Sequence, residues 1–221
     1  MTVLQGALKG KKWIAGSSTN GCWLGSYEYE KQLLLQKLIK EGDIFFDIGA
    51  NAGFYTLLAS SLVGKRGHVY AFEPVEENLR YLREHLLLNH SDNVTVIDAA
   101  VSESSGQSTF ASGPNRSMGR LSPQGQIQVQ MVTIDALIAQ RAVARPDFIK
   151  IDVEGGELGV LKGARLTLAT FKPQIFLATH GEAVHGGCCE LLKSIGYRLS
   201  SLDDRSVDNS DELFASVTIQ S

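Results

Sequence analysis

The sequence has 221 residues, 43% of them hydrophobic, which is enough apolar material for one large globular domain. A formal net charge of −3 offers no overall attraction to nucleic acid or to an anionic membrane, so neither is expected as a partner. No apolar run could span a bilayer, and no signal-peptide pattern opens the chain. Three cysteines, two of them adjacent, predict no disulfide framework. We therefore expect a cytoplasmic protein.

Short apolar strands alternate with helical patterns along most of the chain. Residues 1–27 are typical of a hairpin-like lead-in, and a helix is predicted at 28–40. Strands are predicted at 44–49, 68–73, 94–101, 147–153, 173–180, 197–202 and 213–220. Helices are predicted at 53–63, 76–89, 133–142, 157–169 and 183–195. The alternation predicts a mostly parallel, doubly wound α/β sheet of seven strands. Because only a polar turn separates the last two strands, they should form an antiparallel hairpin at one edge.

Residues 102–132 interrupt this alternation with polar sequence rich in glycine and proline, "SGPNRSMGRLSPQG" among it. A strand is predicted at 126–132. Long insertions of this kind in compact domains are often binding loops or lids. We therefore expect residues 102–125 to shape a ligand pocket, with Asn115, Arg116 and Ser117 offering hydrogen-bond donors.

The stretch "FFDIGANAGFYTL" passes from a strand into a helix through two glycines. A dinucleotide-binding turn has glycine at three places, and here two of those places hold Asn51 and Phe54. Their side chains would crowd a diphosphate, so NAD is not expected. Glu73 ends the second strand, where a carboxylate can accept bonds from a ribose diol. Adenosine without a diphosphate indicates S-adenosylmethionine.

Two further carboxylates lie at predicted strand ends. Asp47, at the end of the first strand, is expected to orient the glycine loop or to receive the ammonium of the cofactor; an Asx-type turn without a ligand is the alternative. Asp98 and Ala99 end the third strand and should flank the adenine, with the carboxylate accepting from its amino group. An ordinary solvated loop carboxylate is the alternative for Asp98.

Four stretches together carry a family resemblance: "FFDIGANAGFYTLLAS", "VYAFEPVEENLRYLREHLLLN", "VTVIDAAVSE" and "DFIKIDVEGGELGVLKGA". The chain resembles the FkbM family of S-adenosylmethionine-dependent methyltransferases, from about residue 23 to residue 181. The resemblance implies a Rossmann-like class I methyltransferase fold over residues 28–221, and O-methylation of a hydroxyl on a sugar, glycan or other small molecule. It departs from the family pattern at Ala178, where a glutamate commonly precedes the histidine.

The residues expected to contact the cofactor share the glycine loop, the strand ends and their flanks. They are Glu28, Asp47, Gly49, Ala50, Asn51, Gly53, Phe54, Tyr55, Glu73, Pro74, Asn78, Asp98, Ala99 and Asp152.

Catalytic candidates come from the fourth large strand and from the strand after it. Lys150, Asp152 and Glu154 share one face of "FIKIDVEGGE", with Asp152 and Glu154 at the carboxyl end of the strand. Asp152 is predicted to be the general base, and His180 replaces it if Lys150 pairs with Asp152 and weakens it. Glu157 is expected to stabilise a helix N-terminus and not to take part in catalysis. Asp152, Glu154 and His180 could bind a metal, but nothing in their spacing requires one, and none is predicted.

Two other function classes stay open: an N-methyltransferase acting on a peptide or protein, and a nucleotide-binding module without chemistry. The acidic cluster favours an enzyme over the binding module. The sequence does not identify the acceptor, and it leaves the oligomeric state open, a homodimer being one option.

Overall fold

The computed structural model describes residues 1–112 and 119–217. Its helices are α1 Asn20–Leu24, α2 Tyr29–Leu38, α3 Phe54–Val63, α4 Glu76–Leu88, α5 Ile134–Ala139, α6 Glu157–Gly163, α7 Arg165–Phe171 and α8 Glu182–Ser194. Its strands are β1 Ile44–Ile48, β2 His68–Phe72, β3 Val94–Ile97, β4 Ala100–Val101, β5 Gly106–Ser112, β6 Gly119–Leu121, β7 Ile127–Val132, β8 Phe148–Ile151, β9 Gln174–Ala178, β10 Arg198–Ser201 and β11 Glu212–Ser216. The chain divides into two compact units, Met1–Asp98 and Ala99–Ser221. None of the helices within the described residues is both long and apolar enough to cross a membrane.

The first unit contains a parallel three-stranded arrangement in which β2 lies between β1 and β3. Helix α3 connects β1 to β2 and helix α4 connects β2 to β3, as expected for parallel strands. In β1, Phe45, Phe46 and Ile48 are at most 1% exposed. Burial on both faces of a strand explains why β1 is a nearly continuous apolar run.

The N-terminal segment of this unit packs against the helices that follow the strands. An isolated antiparallel bridge joins Thr2 to Lys12. Trp13 is buried, meets the ring of Phe54 edge-on at 6.0 Å, and stacks on the imidazole of His85 with 3.9 Å between ring centroids. The lead-in is therefore part of the core of the first unit.

The second unit contains β8 and β9 as a parallel pair, with β11 antiparallel to β9 and β10 antiparallel to β11. The predicted edge hairpin is thus confirmed. The three strands of the first unit and these four together give the seven strands that the sequence predicts.

Two predicted elements differ from the structure. The strand predicted at 94–101 is broken: β4 belongs to a separate four-stranded sheet with the order β4-β7-β5-β6, in which the insertion at 102–132 supplies β5, β6 and β7. The helix predicted at 157–169 breaks at Ala164 into α6 and α7. Gly163 directly precedes the break, and a Cβ there would overlap the carbonyl of Ser102, so this close approach of the two backbones requires glycine.

Candidate functional site

The turn between β1 and α3 uses the left-handed backbone region at three positions. Gly49, Asn51 and Gly53 have φ values of 82°, 51° and 94°. Asparagine tolerates this region better than most residues, and here the side-chain Oδ1 of Asn51 accepts a bond from the Ala52 amide at 2.6 Å. A Cβ at Gly53 would lie 2.5 Å from Cδ1 of Leu82 in α4. The loop therefore has the tight backbone that the sequence predicts, with asparagine at the position where a dinucleotide motif has glycine.

Glu73 follows β2 directly and holds this loop. Its Oε2 accepts a hydrogen bond from the Asn51 amide at 2.9 Å, and its Oε1 accepts from the Val75 amide at 3.0 Å and from Nδ2 of Asn78 at 3.1 Å. The residue is only 4% exposed. The sequence predicts a carboxylate that binds ribose, and in the structure the oxygens of Glu73 fix the glycine loop and the start of α4. The half-buried Pro74 separates β2 from α4.

The other predicted cofactor residues of the first unit have distinct surroundings. Asp47 is completely buried in β1, where its Oδ2 accepts a 2.6 Å bond from the Thr56 hydroxyl of α3. Ala50 is buried in the loop. Asp98 is more than half exposed, and its Oδ2 lies 3.7 Å from the Arg83 guanidinium. Thus Asp47 orients the first turn of α3, whereas the carboxylate of Asp98 remains open to solvent.

Glu28 and Tyr55 form a further link to the start of α3. Glu28 precedes α2 with a φ of 46°, a strained value for glutamate, and it accepts a hydrogen bond from the Tyr55 hydroxyl. The ammonium of Lys31 lies 3.2 Å from its other oxygen. Phe54, beside Tyr55, packs edge-on against Tyr27 at 5.1 Å, so its side chain contributes to the core.

The second unit gathers the predicted catalytic residues. Lys150, which is 7% exposed, lies 3.4 Å from Oδ2 of Asp152, so the predicted pairing is present. Nε2 of His180 lies 3.9 Å from Oδ1 of Asp152 and 3.7 Å from Oε2 of Glu154. Glu154 lies in the turn after β8 and has a φ of 57°.

Ala99, one of the residues predicted to flank the adenine, is buried next to β4 and belongs to this unit.

Glu157 holds the turn at Gly155 and the imidazole of His180 in place. It is completely buried, and its Oε1 accepts hydrogen bonds from the Gly155 amide at 3.0 Å and from Nδ1 of His180 at 2.8 Å. This bond, together with the nearby carboxylates and against the effect of burial, raises the pKa of His180 to about 9. Burial also raises the pKa of Glu154. At neutral pH His180 is therefore a cation that donates hydrogen bonds, and it is not available as a base.

Sequence reasoning missed two roles. Glu157 was expected only to stabilise a helix N-terminus, yet it holds the catalytic histidine candidate. Nothing in the sequence pattern predicts a role for His85, which is completely buried: its Nε2 accepts from the Ile14 amide at 3.0 Å, so its Nδ1 donates to the Ala52 carbonyl at 2.7 Å. The helical position of His85 gave no signal of a bond to the glycine loop.

The predicted donors of the insertion, Asn115, Arg116 and Ser117, lie outside the described residues.

Residues 47–199 match the model of the methyltransferase FkbM domain, well over half of the chain. The hexuronic acid methyltransferase AglP of Haloferax volcanii is 33% identical over 138 residues, which is 60% of this chain and 54% of that protein. A methyltransferase FkbM structure from Methylobacillus flagellatus has a TM-score of 0.58 at 19% identity and covers 90% of this chain and 55% of that one. An Aeropyrum pernix fibrillarin with bound S-adenosyl-L-methionine has a TM-score of 0.53 at 18% identity and covers 85% of this chain and 73% of that one.

These comparisons bear on the fold and on the extent of the match. The structural neighbours are class I methyltransferases, and at these identities they show the fold alone, which confirms the predicted fold class. The chain spans about half the length of the curated relative AglP and of the Methylobacillus structure.

Proposed function

The chain belongs to the FkbM family of methyltransferases, and we propose that it transfers the methyl group of S-adenosylmethionine to a hydroxyl of a sugar, glycan or other small molecule. One observation carries the cofactor assignment: the amide of Asn51, in the glycine loop, donates to the carboxylate of Glu73. This bond ties a tight strand-to-helix turn to the acidic residue at the end of the next strand.

The residues present fit an adenosine cofactor that lacks a diphosphate. The Asn51 side chain occupies the place where backbone would have to meet a pyrophosphate, and the buried carboxylate of Glu73 suits ribose hydroxyls. Glu73, Asn78 and the loop at 49–53 would hold the ribose and the amino-acid part, while Asp98 would accept from the adenine amino group. Asp47, which is buried, would act through the loop by fixing Thr56.

S-adenosylmethionine supplies a methyl group on a positively charged sulfur, and transfer to a hydroxyl breaks that carbon–sulfur bond, forms a carbon–oxygen bond and releases the hydroxyl proton. The chain must therefore orient the hydroxyl and remove its proton. We assign both tasks to the cluster in the second unit. Asp152 and Glu154 are only partly buried and can accept a hydrogen bond from an acceptor hydroxyl. Glu154, whose pKa is raised by burial, is the better placed of the two to take the proton.

The cluster carries charges of both signs. Asp152, Glu154 and Glu157 provide three carboxylates, against Lys150 and the protonated His180. A sugar hydroxyl can donate to these carboxylates and accept from the two cations. The curated relative AglP is a hexuronic acid methyltransferase, and this supports a sugar as the acceptor class.

Two measurements on the full chain test the proposal. Calorimetric titration should show binding of S-adenosylmethionine and of its demethylated product, and no binding of NAD. Incubation with S-adenosylmethionine carrying a tritiated methyl group, in the presence of fractionated extract, should place label in a glycan or small-molecule fraction. Binding of NAD without S-adenosylmethionine would overturn the cofactor assignment. Label found only in protein, in alkali-stable form, would favour N-methylation of a peptide.

A further inference from the structure

The cluster Asp152–Glu154–His180 has the composition and spacing of a cation site. One side-chain atom from each residue can be chosen so that all three lie within 4.8 Å of one another. The side chains are 32%, 27% and 36% exposed, so solvent and small ions can reach them. From this arrangement we propose that the cluster binds one oxygen-preferring divalent cation of the Mg²⁺, Mn²⁺ or Ca²⁺ class.

The separations within the cluster are the first argument. Nε2 of His180 lies 3.9 Å and 3.7 Å from the nearest oxygens of Asp152 and Glu154, which is too far for a direct hydrogen bond. Ligand atoms that meet at right angles on a cation with bonds of about 2.1–2.5 Å are about 3.0–3.5 Å apart. A contraction of about 0.2–0.9 Å would therefore bring Nε2 of His180 and each carboxylate oxygen to the separation of two ligands on one cation.

The orientation of His180 is the second argument. Its Nδ1 is held by Oε1 of Glu157 at 2.8 Å, which directs Nε2 toward the two other carboxylates. A carboxylate on the far nitrogen is the usual way in which proteins fix a metal-binding imidazole. Among the described residues, the buried Oε2 of Glu157 has no hydrogen-bond partner. A completely buried carboxylate is costly, and positive charge on the imidazole that it contacts, from a proton or from a cation bound at Nε2, would lower that cost.

Charge is the third argument. A cation that binds Nε2 of His180 must displace its proton to solvent; with the imidazole then neutral, the carboxylates of Asp152, Glu154 and Glu157 and the ammonium of Lys150 leave a surplus of two negative charges, which one divalent cation neutralises. Lys150 faces Oδ2 of Asp152, so Oδ1, on the side of His180, is the oxygen for the cation. Three protein ligands leave other coordination positions for water or for a substrate oxygen. This proposal departs from the prediction of no metal.

The part the cation plays in catalysis rests on the proposed methyl transfer, whereas its binding does not. A hydroxyl bound to the cation would lose its proton more readily, since the cation stabilises the alkoxide that forms. The second oxygen of Glu154 would then be available to take that proton. An enzyme of this design would act on acceptors with a hydroxyl that can reach the ion, as sugars have.

Mn²⁺ is the probe for the test, because free and bound Mn²⁺ are distinguished by electron paramagnetic resonance. Full-length protein is first dialysed against a chelator and then titrated with Mn²⁺ in the absence of S-adenosylmethionine and acceptor. We expect one saturable site per chain, whose dissociation constant rises at least ~10-fold in Asp152→Asn and in Glu154→Gln, the range found when groups that support a metal site are removed. Asp204→Asn, a matched change at an exposed carboxylate, should leave it unchanged.

The outcomes separate this proposal from the proposed function. Two results would overturn the cation site. One is the absence of saturable Mn²⁺ binding. The other is saturable binding that neither Asp152→Asn nor Glu154→Gln weakens, although circular dichroism shows both variants folded. If that happens while S-adenosylmethionine still binds, the proposed function stands. If Mn²⁺ binds as expected and S-adenosylmethionine does not, the cation site stands and the proposed function fails.

Discussion

Glutamine in place of Glu73 tests whether one carboxylate both fixes the glycine loop and binds the cofactor. Oε1 of Glu73 accepts two bonds, from Val75 and Asn78, and Oε2 accepts one, from the Asn51 amide. Glutamine has a single acceptor oxygen, which we expect to take the position of Oε1, where Val75 and Asn78 donate. Its amide group would then face the amide of Asn51, donor against donor.

The expected magnitude follows from that count. One buried donor left without an acceptor costs about 1–3 kcal/mol, and Glu73→Ala, which removes the acceptor for all three donors, should cost more. For a chain of this size each kcal/mol lowers the melting temperature by about 2–4 °C. We therefore expect Glu73→Gln to melt roughly 2–12 °C below the wild type. Its affinity for S-adenosylmethionine should fall about 10- to 100-fold, or about 1.4–2.8 kcal/mol.

Thermal unfolding and calorimetric titration, carried out on the same preparations, measure the two effects separately. Glu190→Gln, at an exposed position in α8 away from the helix N-terminus, is the matched control and should leave both values unchanged. Normal affinity combined with a lowered melting temperature would mean that Glu73 only holds the loop. If neither value changes, the reasoning from its hydrogen bonds is wrong.

Three further outcomes are expected. Glu154→Gln should lower the turnover number about 10²- to 10⁴-fold in the labelled-methyl assay while cofactor affinity stays the same; near-normal turnover would remove Glu154 as the base. Gly53→Ala should lower the free energy of unfolding, measured by urea titration, by about 1–3 kcal/mol more than Gly42→Ala does. Both glycines have a positive φ, but only a Cβ at Gly53 would overlap the side chain of Leu82. Equal losses would mean that the Leu82 side chain moves aside without cost. Burial lowers the pKa of His85, so the unfolded chain takes up the proton first as pH falls. Unfolding free energy should therefore decrease as pH falls from about 6.5, and His85→Gln should remove that part of the slope; an unchanged slope would contradict it.

The elements that local pattern determines were predictable. Two glycines and an asparagine between an apolar strand and a helical run gave the loop at 49–53, and a polar turn without room for a helix gave the edge hairpin. Lys150 lies in β8 and Asp152 follows the strand directly, two residues later on the same face of the predicted strand, so their pairing followed from strand geometry.

Contacts between distant parts of the chain could not be read in the same way. His85 bonds to Ile14, 71 residues earlier, and to Ala52, 33 residues earlier. Neither spacing leaves a periodic signal. The bond between Glu157 and His180 spans 23 residues, and it reverses the inference that His180 is the alternative base, because a carboxylate on Nδ1 favours the protonated ring. Side chains whose protonation depends on such neighbours can be assigned only with coordinates.

The stack of Trp13 on His85 makes the glycine loop accessible to fluorescence spectroscopy. The chain has two tryptophans, and Trp13 is buried with its ring 3.9 Å from an imidazole that also bonds to the Ala52 carbonyl in the loop. A protonated imidazole quenches indole emission, and a neutral one does so far less. Any displacement of the loop on ligand binding would alter this stack, so in a Trp23→Phe background the emission of Trp13 would serve as a label-free signal from the interior of the first unit.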